Sequence, residues 1–103
     1  MALTNLCLAD QQSPIDNFVM ILGDDGNIRV IAKICRGAID DYWELQSSTP
    51  NQRVDLVCKN LDSIKKIILN KYDKNEYEQY ERHGSIVREV ILSLKDFRDA
   101  YVK

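Results

Sequence analysis

Phe18-Val19-Met20-Ile21-Leu22-Gly23-Asp24-Asp25-Gly26-Asn27-Ile28-Arg29-Val30-Ile31-Ala32-Lys33-Ile34-Cys35 consists of two apolar runs hinged on Asp25-Gly26. An Asp-Gly pair between β-rich runs predicts a hairpin, because both central residues of a type I′ turn need positive φ and these two tolerate it. In the second run Ile28, Val30, Ala32 and Ile34 alternate with Arg29, Ile31, Lys33 and Cys35, so one face is apolar and the other mixed. The first run has no polar residue from Phe18 to Leu22, which places it inside a sheet with both faces in want of cover. A turn of Asp25-Gly26 alone sets Val19 and Ile21 beside Val30 and Ala32, leaving Phe18, Met20 and Leu22 on the face of Arg29 and Lys33. A three-residue loop inverts that choice. In both cases one set of first-strand hydrophobes needs a partner beyond the main core.

Upstream, residues 1 to 17 form a partly irregular lead-in, punctuated by Pro14 and Asn17, in which Leu6 and Leu8 offer a short edge strand. Downstream, Ile39, Tyr42 and Trp43 recur at helical spacing and predict a short helix over 38–45, with Asp40 and Asp41 in its first turn, where the helix dipole favours carboxylates. Thr49 or Asn51 then caps a long helix over 51–72. Its stripe is Val54, Val57, Cys58, Leu61, Ile64, Ile68 and Tyr72, and it extends for about 33 Å. Leu56, Ile67 and Leu69 fall off that stripe, so its buried face is wide or makes a second contact. The helix is expected to break near Asp73 to Asn75, since a longer one would overhang so small a domain.

Ser85 to Leu92 is rich in β-branched residues and predicts a third strand, with Ile86, Arg88, Val90 and Leu92 on one parity. Ser93-Leu94-Lys95-Asp96 resembles a capping box and opens a short closing helix carrying Leu94, Phe97 and Tyr101. The expected fold is α+β: a small antiparallel sheet of about three strands, the hairpin plus a C-terminal strand, packed against one long and two short helices. A chain of 103 residues makes a single domain over 1–103.

The pattern resembles a family of small bacterial proteins, domain-of-unknown-function family 1488. The residues that carry the likeness are the polar lead-in Asp10 to Asn17, Val19-x-Ile21 with its glycine and hairpin, and Ile28-x-Val30-x-Ala32-x-Ile34. Ala38 to Trp43, the helix from Asn51 and the final strand ending in Asp96-Phe97 complete it. Where that family's second strand tends to carry Cys and Ser, this chain has Ala32 and Cys35. The resemblance implies a compact α+β protein of unassigned function, with no known catalytic residues to carry over.

Composition narrows the function classes. The net charge of −2, with both signs interspersed, supplies no field for nucleic acid or anionic membrane, and no apolar run approaches a membrane span. Cys7, Cys35 and Cys58 form no CxxC pair and fit reduced thiols in a cytoplasm, each expected as a small buried or half-buried residue. His83 is the only histidine, so no histidine-based metal cluster can be built within one chain, and beside Gly84 it reads as a helix-end cation or solvated residue rather than a catalytic one. A Cys-His pair would need one of the cysteines beside His83. Gly23-Asp24-Asp25-Gly26 lacks the spaced oxygens of a calcium loop, and no phosphate-cradling glycine loop exists. No cofactor is implied.

The reading that follows is a non-catalytic interaction or accessory module with a protein partner, either another subunit or a second copy in a homodimer. Its candidate contact residues are Met20, Trp43, Leu56, Ile67, Tyr77 and Tyr80. One alternative is a nucleic-acid accessory protein using Lys65, Lys66, Lys71, Lys74 and the tyrosines at 72, 77 and 80, against which Glu76, Glu78 and Glu81 weigh. Another is a small-molecule-binding protein or enzyme with a pocket that no motif marks.

Overall fold

A computed structural model describes residues 3–8, 18–46 and 48–100. Strands β1 (Thr4–Leu8), β2 (Phe18–Asp25) and β3 (Ile28–Cys35) come first. Helices α1 (Arg36–Tyr42), α2 (Pro50–Lys59) and α3 (Leu61–Asp73) follow, then strands β4 (Glu78–Arg82) and β5 (Ser85–Leu92) and helix α4 (Leu94–Ala100). The sheet order is β1-β2-β3-β5-β4. All pairings are antiparallel except β3 with β5, which is parallel.

This architecture corrects the expected fold. The class is α+β, but the sheet is five-stranded and mixed rather than three-stranded and antiparallel, and four helices replace one long and two short ones. The helix expected over 51–72 is two helices that meet at Asn60, whose backbone leaves helical geometry at φ −115° and whose Nδ2 donates back to the Leu56 carbonyl at 2.8 Å. A side chain bonding its own helix in this way competes with the next turn. The lead-in contains β1, while the punctuation at Pro14 and Asn17 lies outside the described residues.

The hairpin forms with the two-residue loop Gly26-Asn27, since Asp25 pairs with Ile28. Gly26 has φ +60° and Asn27 does not have positive φ, the pattern of a type II′ turn rather than the I′ turn expected at Asp25-Gly26. The loop stays even in length, so Val19 and Ile21 share the face of Val30, Ala32 and Ile34 as expected, although their direct partners are Ile34 and Ala32. The second hairpin turns at His83-Gly84 with φ +53° and +78°, both positive as a type I′ turn requires.

Helices cover one face of the sheet. Val19, Ile21, Val30, Ala32, Ile34, Val90 and Leu92 from that face pack with Ala38, Ile39, Val57, Ile64, Ile67, Ile68, Tyr72 and Phe97 from the helices. Thr49 caps α2 through a full capping box with Gln52, and Pro50 at the first helical position needs no amide partner. α1 starts two residues earlier than expected, which moves Asp40 and Asp41 out of the first turn; Asp40 instead pairs with Arg36 one turn back.

Candidate functional site

The strand register fixes which side chains stand on the second face of the sheet. Successive residues of a strand point to opposite sides, and directly paired residues share a side. Opposite the helices stand three cross-strand rows: Cys7, Leu22, Ile31, Glu89 and Glu78; Met20, Lys33 and Ile91; and Asp24, Arg29, Val87 and Tyr80. Phe18 and Cys35 add a fourth pair. Among the described residues no helix packs on this face. Ile91 is 45% exposed and Tyr80 38%, Phe18, Met20, Leu22 and Ile31 are half-buried, and Val87 is buried at 5%.

Charges on this face are paired with one another. Lys33 Nζ lies 3.3 Å from Glu89 Oε1 and 4.7 Å from the centre of the Phe18 ring, so the ammonium sits between a carboxylate and a π face. Glu89 Oε2 accepts from the Tyr80 hydroxyl at 3.1 Å. Partial burial and the Glu89 carboxylate push the Tyr80 phenol up from its ordinary value, so it stays a proton donor. Arg29 lies 3.7 Å from Asp24. The result is a mainly apolar sheet face whose polar groups are already satisfied.

Of the six candidate contact residues, only Met20 and Tyr80 stand on this face. Trp43 belongs to the helical side, in an aromatic group with Tyr42 and Phe97 at centroid distances of 5.0 and 5.6 Å. Leu56 packs against the core, Ile67 is 7% exposed within it, and Tyr77 stacks on the buried Tyr72 ring at 5.0 Å. The fold therefore does not bring the six together. Leu22, Ile31 and Ile91 join Met20 and Tyr80 instead. Their signal lay in strand parity, through the half of Phe18 to Leu22 that the core has no room for.

The cysteines correct another expectation: all three are exposed. Cys7 and Cys35 stand on the helix-free face, and Cys58 on the outer side of α2. His83 sits in the β4–β5 turn, before the start of β5, whereas Cys35 ends β3, which runs parallel to β5. The two lie at opposite ends of the sheet. Cys7 is on its far edge strand, so the fold builds no Cys-His pair between His83 and either.

Two polar networks on the helical side went unread in the sequence. At one end Tyr72 donates to Asp25 and accepts from Arg88, whose guanidinium also lies 4.8 Å from the Tyr77 ring centre and donates to Gln79. Burial, reinforced by Asp25 and opposed by Arg88, raises the Tyr72 phenol above its ordinary value. In the second network Arg53, 3% exposed, donates to the Ser48 carbonyl at 2.6 Å and to its hydroxyl at 3.1 Å, and that hydroxyl donates to Asp40. Arg53 stands one turn before Val57 on the inward stripe, a position where any side chain is buried and a guanidinium has to find acceptors. Among the described residues no buried side-chain nitrogen or oxygen is left without a hydrogen-bond partner, in these networks or elsewhere.

A cleft of about 730 Å³ between α3 and α4 gathers Lys66, Lys71, Lys74 and Lys95 with Glu76 and Asp99. Lys71 is committed to Asp96 at 2.9 Å. Tyr72 and Tyr77 turn inward and Tyr80 stands on the other side of the sheet, so lysines and tyrosines share no surface of the kind a nucleic-acid platform uses. Among the described residues no group of three His, Cys, Asp or Glu side chains is placed to hold a metal ion, and no helix is long and apolar enough to cross a membrane. Comparison with protein-family models, with curated proteins and with solved structures yields no match in any of the three.

Proposed function

We propose that this chain is a non-catalytic protein-interaction module of a reducing, cytoplasmic compartment, and that its contact surface is the helix-free face of the sheet. The observation that carries the reading is the co-location of Leu22, Ile31, Ile91, Tyr80, Phe18 and Met20 on a face against which no described helix packs. Exposed apolar surface gathered on one face marks an interaction site in soluble proteins. The paired state of Lys33, Glu89 and Tyr80 supports it, because charges satisfied within the face are carried into a dry interface without stranding a partner. Three exposed free thiols fit a reducing compartment. The resemblance to family 1488 assigns no residue a role, and nothing in this reading rests on it.

The native thiols provide the test. Alkylation of Cys7 and Cys35 is compared between dilute purified protein and the same protein added to an extract of its host, with Cys58 as the internal reference. Slower modification of Cys7 and Cys35 alone in the extract is expected. Equal rates for all three thiols in both samples would refute a covered face.

A further inference from the structure

We infer that the occupant of this face is a second copy of the chain, docked sheet to sheet about a twofold axis so that the two helical layers lie outermost. The inference rests on the preceding reading of the face as a contact surface and adds the identity of the partner.

Charge is the first ground. Among the described residues the charged groups on the face are Asp24, Glu78 and Glu89 against Arg29, Lys33 and Arg82, three of each sign. A surface with no net field gives no advantage to a strongly acidic or strongly basic partner. A patch whose charges are balanced and mostly paired within itself meets its own copy about a twofold axis without a net repulsion to overcome.

Area is the second. Five strands spaced about 4.8 Å apart, up to eight residues long at about 3.4 Å each, present a footprint of roughly 500–650 Å². Two copies then bury roughly 1,000–1,300 Å², which reaches the lower range of specific association. The interface is therefore expected to form reversibly with concentration.

Shape is the third. Two twisted sheets stack aligned at about 10 Å when their inner faces offer interdigitating apolar side chains. Leu22, Ile31 and Ile91 form such a central cluster, with Tyr80 and Phe18 at its margins. Cys7 and Cys35 stand on the same face and become covered with it, whereas Cys58 on α2 does not.

The experiment uses the freshly reduced full chain alone, from low micromolar to millimolar. It records the solution mass by light scattering and the alkylation rates of the three thiols by peptide mass spectrometry. The expected result is a mass that rises from one chain to two, with Cys7 and Cys35 slowing in step and Cys58 unchanged. At a total chain concentration of about ten times the dissociation constant, about one fifth of the chain is free monomer and the slowing is roughly fivefold by mass action. Ile91→Glu is expected to restore both the single-chain mass and the fast rates, and Ile91→Val to leave the dimer in place. A mass of one chain throughout, with all thiols equally reactive, overturns the inference, as does a dimer in which Cys7 and Cys35 stay open. If the pure chain stays monomeric while host extract still protects Cys7 and Cys35, only the second copy is refuted. If neither sample protects them, the docking face is refuted too.

Discussion

The Tyr72 hydroxyl donates to Asp25 Oδ2 at 2.6 Å, joining the last turn of α3 to the end of β2 across 47 positions of sequence. The same oxygen accepts from Arg88 Nη1 at 2.7 Å, and Arg88 lies only 3.5 Å from Asp25, so three elements meet on one phenol. Because Tyr72 is fully buried, its oxygen has no water to fall back on.

Tyr72→Phe keeps the ring in the core and removes only that oxygen. The carboxylate and the guanidinium then each lose one partner in a half-buried setting, which costs roughly 1–3 kcal/mol. For a domain of this size that corresponds to a fall in Tm of about 4–8 °C per kcal/mol. Urea unfolding followed by circular dichroism should show a lower midpoint with an unchanged slope. A midpoint matching that of the native chain would mean that the network does not contribute to stability.

Acid should loosen the fold through Asp40 and Asp96. The Ser48 hydroxyl, against an opposing burial effect and together with Arg36, holds the Asp40 carboxyl below its ordinary 3.8. For Asp96, burial alone would raise the value, but the Ser93 amide at 2.8 Å and the Lys71 ammonium outweigh it and bring it down. A carboxylate whose folded value lies below its unfolded value adds stability that is complete above the unfolded value and is lost as pH falls through the folded one. Stability is therefore expected to decline below about pH 4, and the decline should be shallower in the Asp40→Asn and Asp96→Asn chains. Both variants should be less stable than the native chain at neutral pH. Parallel acid limbs in all three proteins would show that other carboxylates govern the transition.

How much of this was legible in the sequence follows from where the information resides. The first hairpin, β5 and α4 each bury one face against the helical layer or the sheet, and alternation or helical spacing records that directly, as in Val30, Ala32 and Ile34 or Leu94 and Phe97. β4 carries Glu78-Gln79-Tyr80-Glu81-Arg82, exposed throughout, so it leaves no hydrophobic trace. Only the His83-Gly84 turn announces it. The parallel pairing of β3 with β5 joins residues 58 apart, such as Val30 and Arg88, and no local pattern encodes it. At Asn60 the inward spacing continues from Val57 to Ile64, so the periodicity hides the break. The candidate contact residues are aromatics and apolar side chains that read as surplus to the core, yet Trp43 and Tyr77 have ring partners on the helical side and Leu56 and Ile67 pack in the core there. Apolar character was visible in advance, but not which side of the sheet would receive it.

Two glycines separate close approach from mere small size. A Cβ on Gly23 would stand 2.8 Å from Leu6 Cδ2, 3.1 Å from Leu3 Cδ1 and 3.3 Å from the Thr4 carbonyl oxygen, whereas one on Gly37 would meet nothing within 4 Å. Gly23→Ala therefore has to displace the ends of the Leu6 and Leu3 side chains and press on the Thr4 carbonyl of β1, and a loss of about 1 kcal/mol, at the low end for overpacked sites, is expected. Gly37 lies in α1 without positive φ, so Gly37→Ala should add about 0.5–1 kcal/mol by restricting the unfolded chain. Hydrogen exchange should localise the first effect to Thr4–Leu8. Equal shifts of the same sign in both variants would contradict the packing described for Gly23.

Docking and folding should separate cleanly between the two sides of the sheet. Ile91 and Tyr80 are 45% and 38% exposed on the helix-free face, so Ile91→Glu and Tyr80→Ser remove little packing and should change stability by no more than about 1 kcal/mol. Ile64 is fully buried inside the helical core, and Ile64→Glu puts a carboxylate among its apolar side chains. A cost of several kcal/mol is expected, large against the whole stability of a small domain. The measurement is thermal melting of the three variants at a concentration low enough to keep the chain monomeric. At high concentration the native chain should melt higher than Ile91→Glu, and this gap should close on dilution, since a partner that binds only the folded form raises the melting temperature by mass action. A gap that persists unchanged on dilution would assign Ile91 to the fold of the single chain and not to its contact surface.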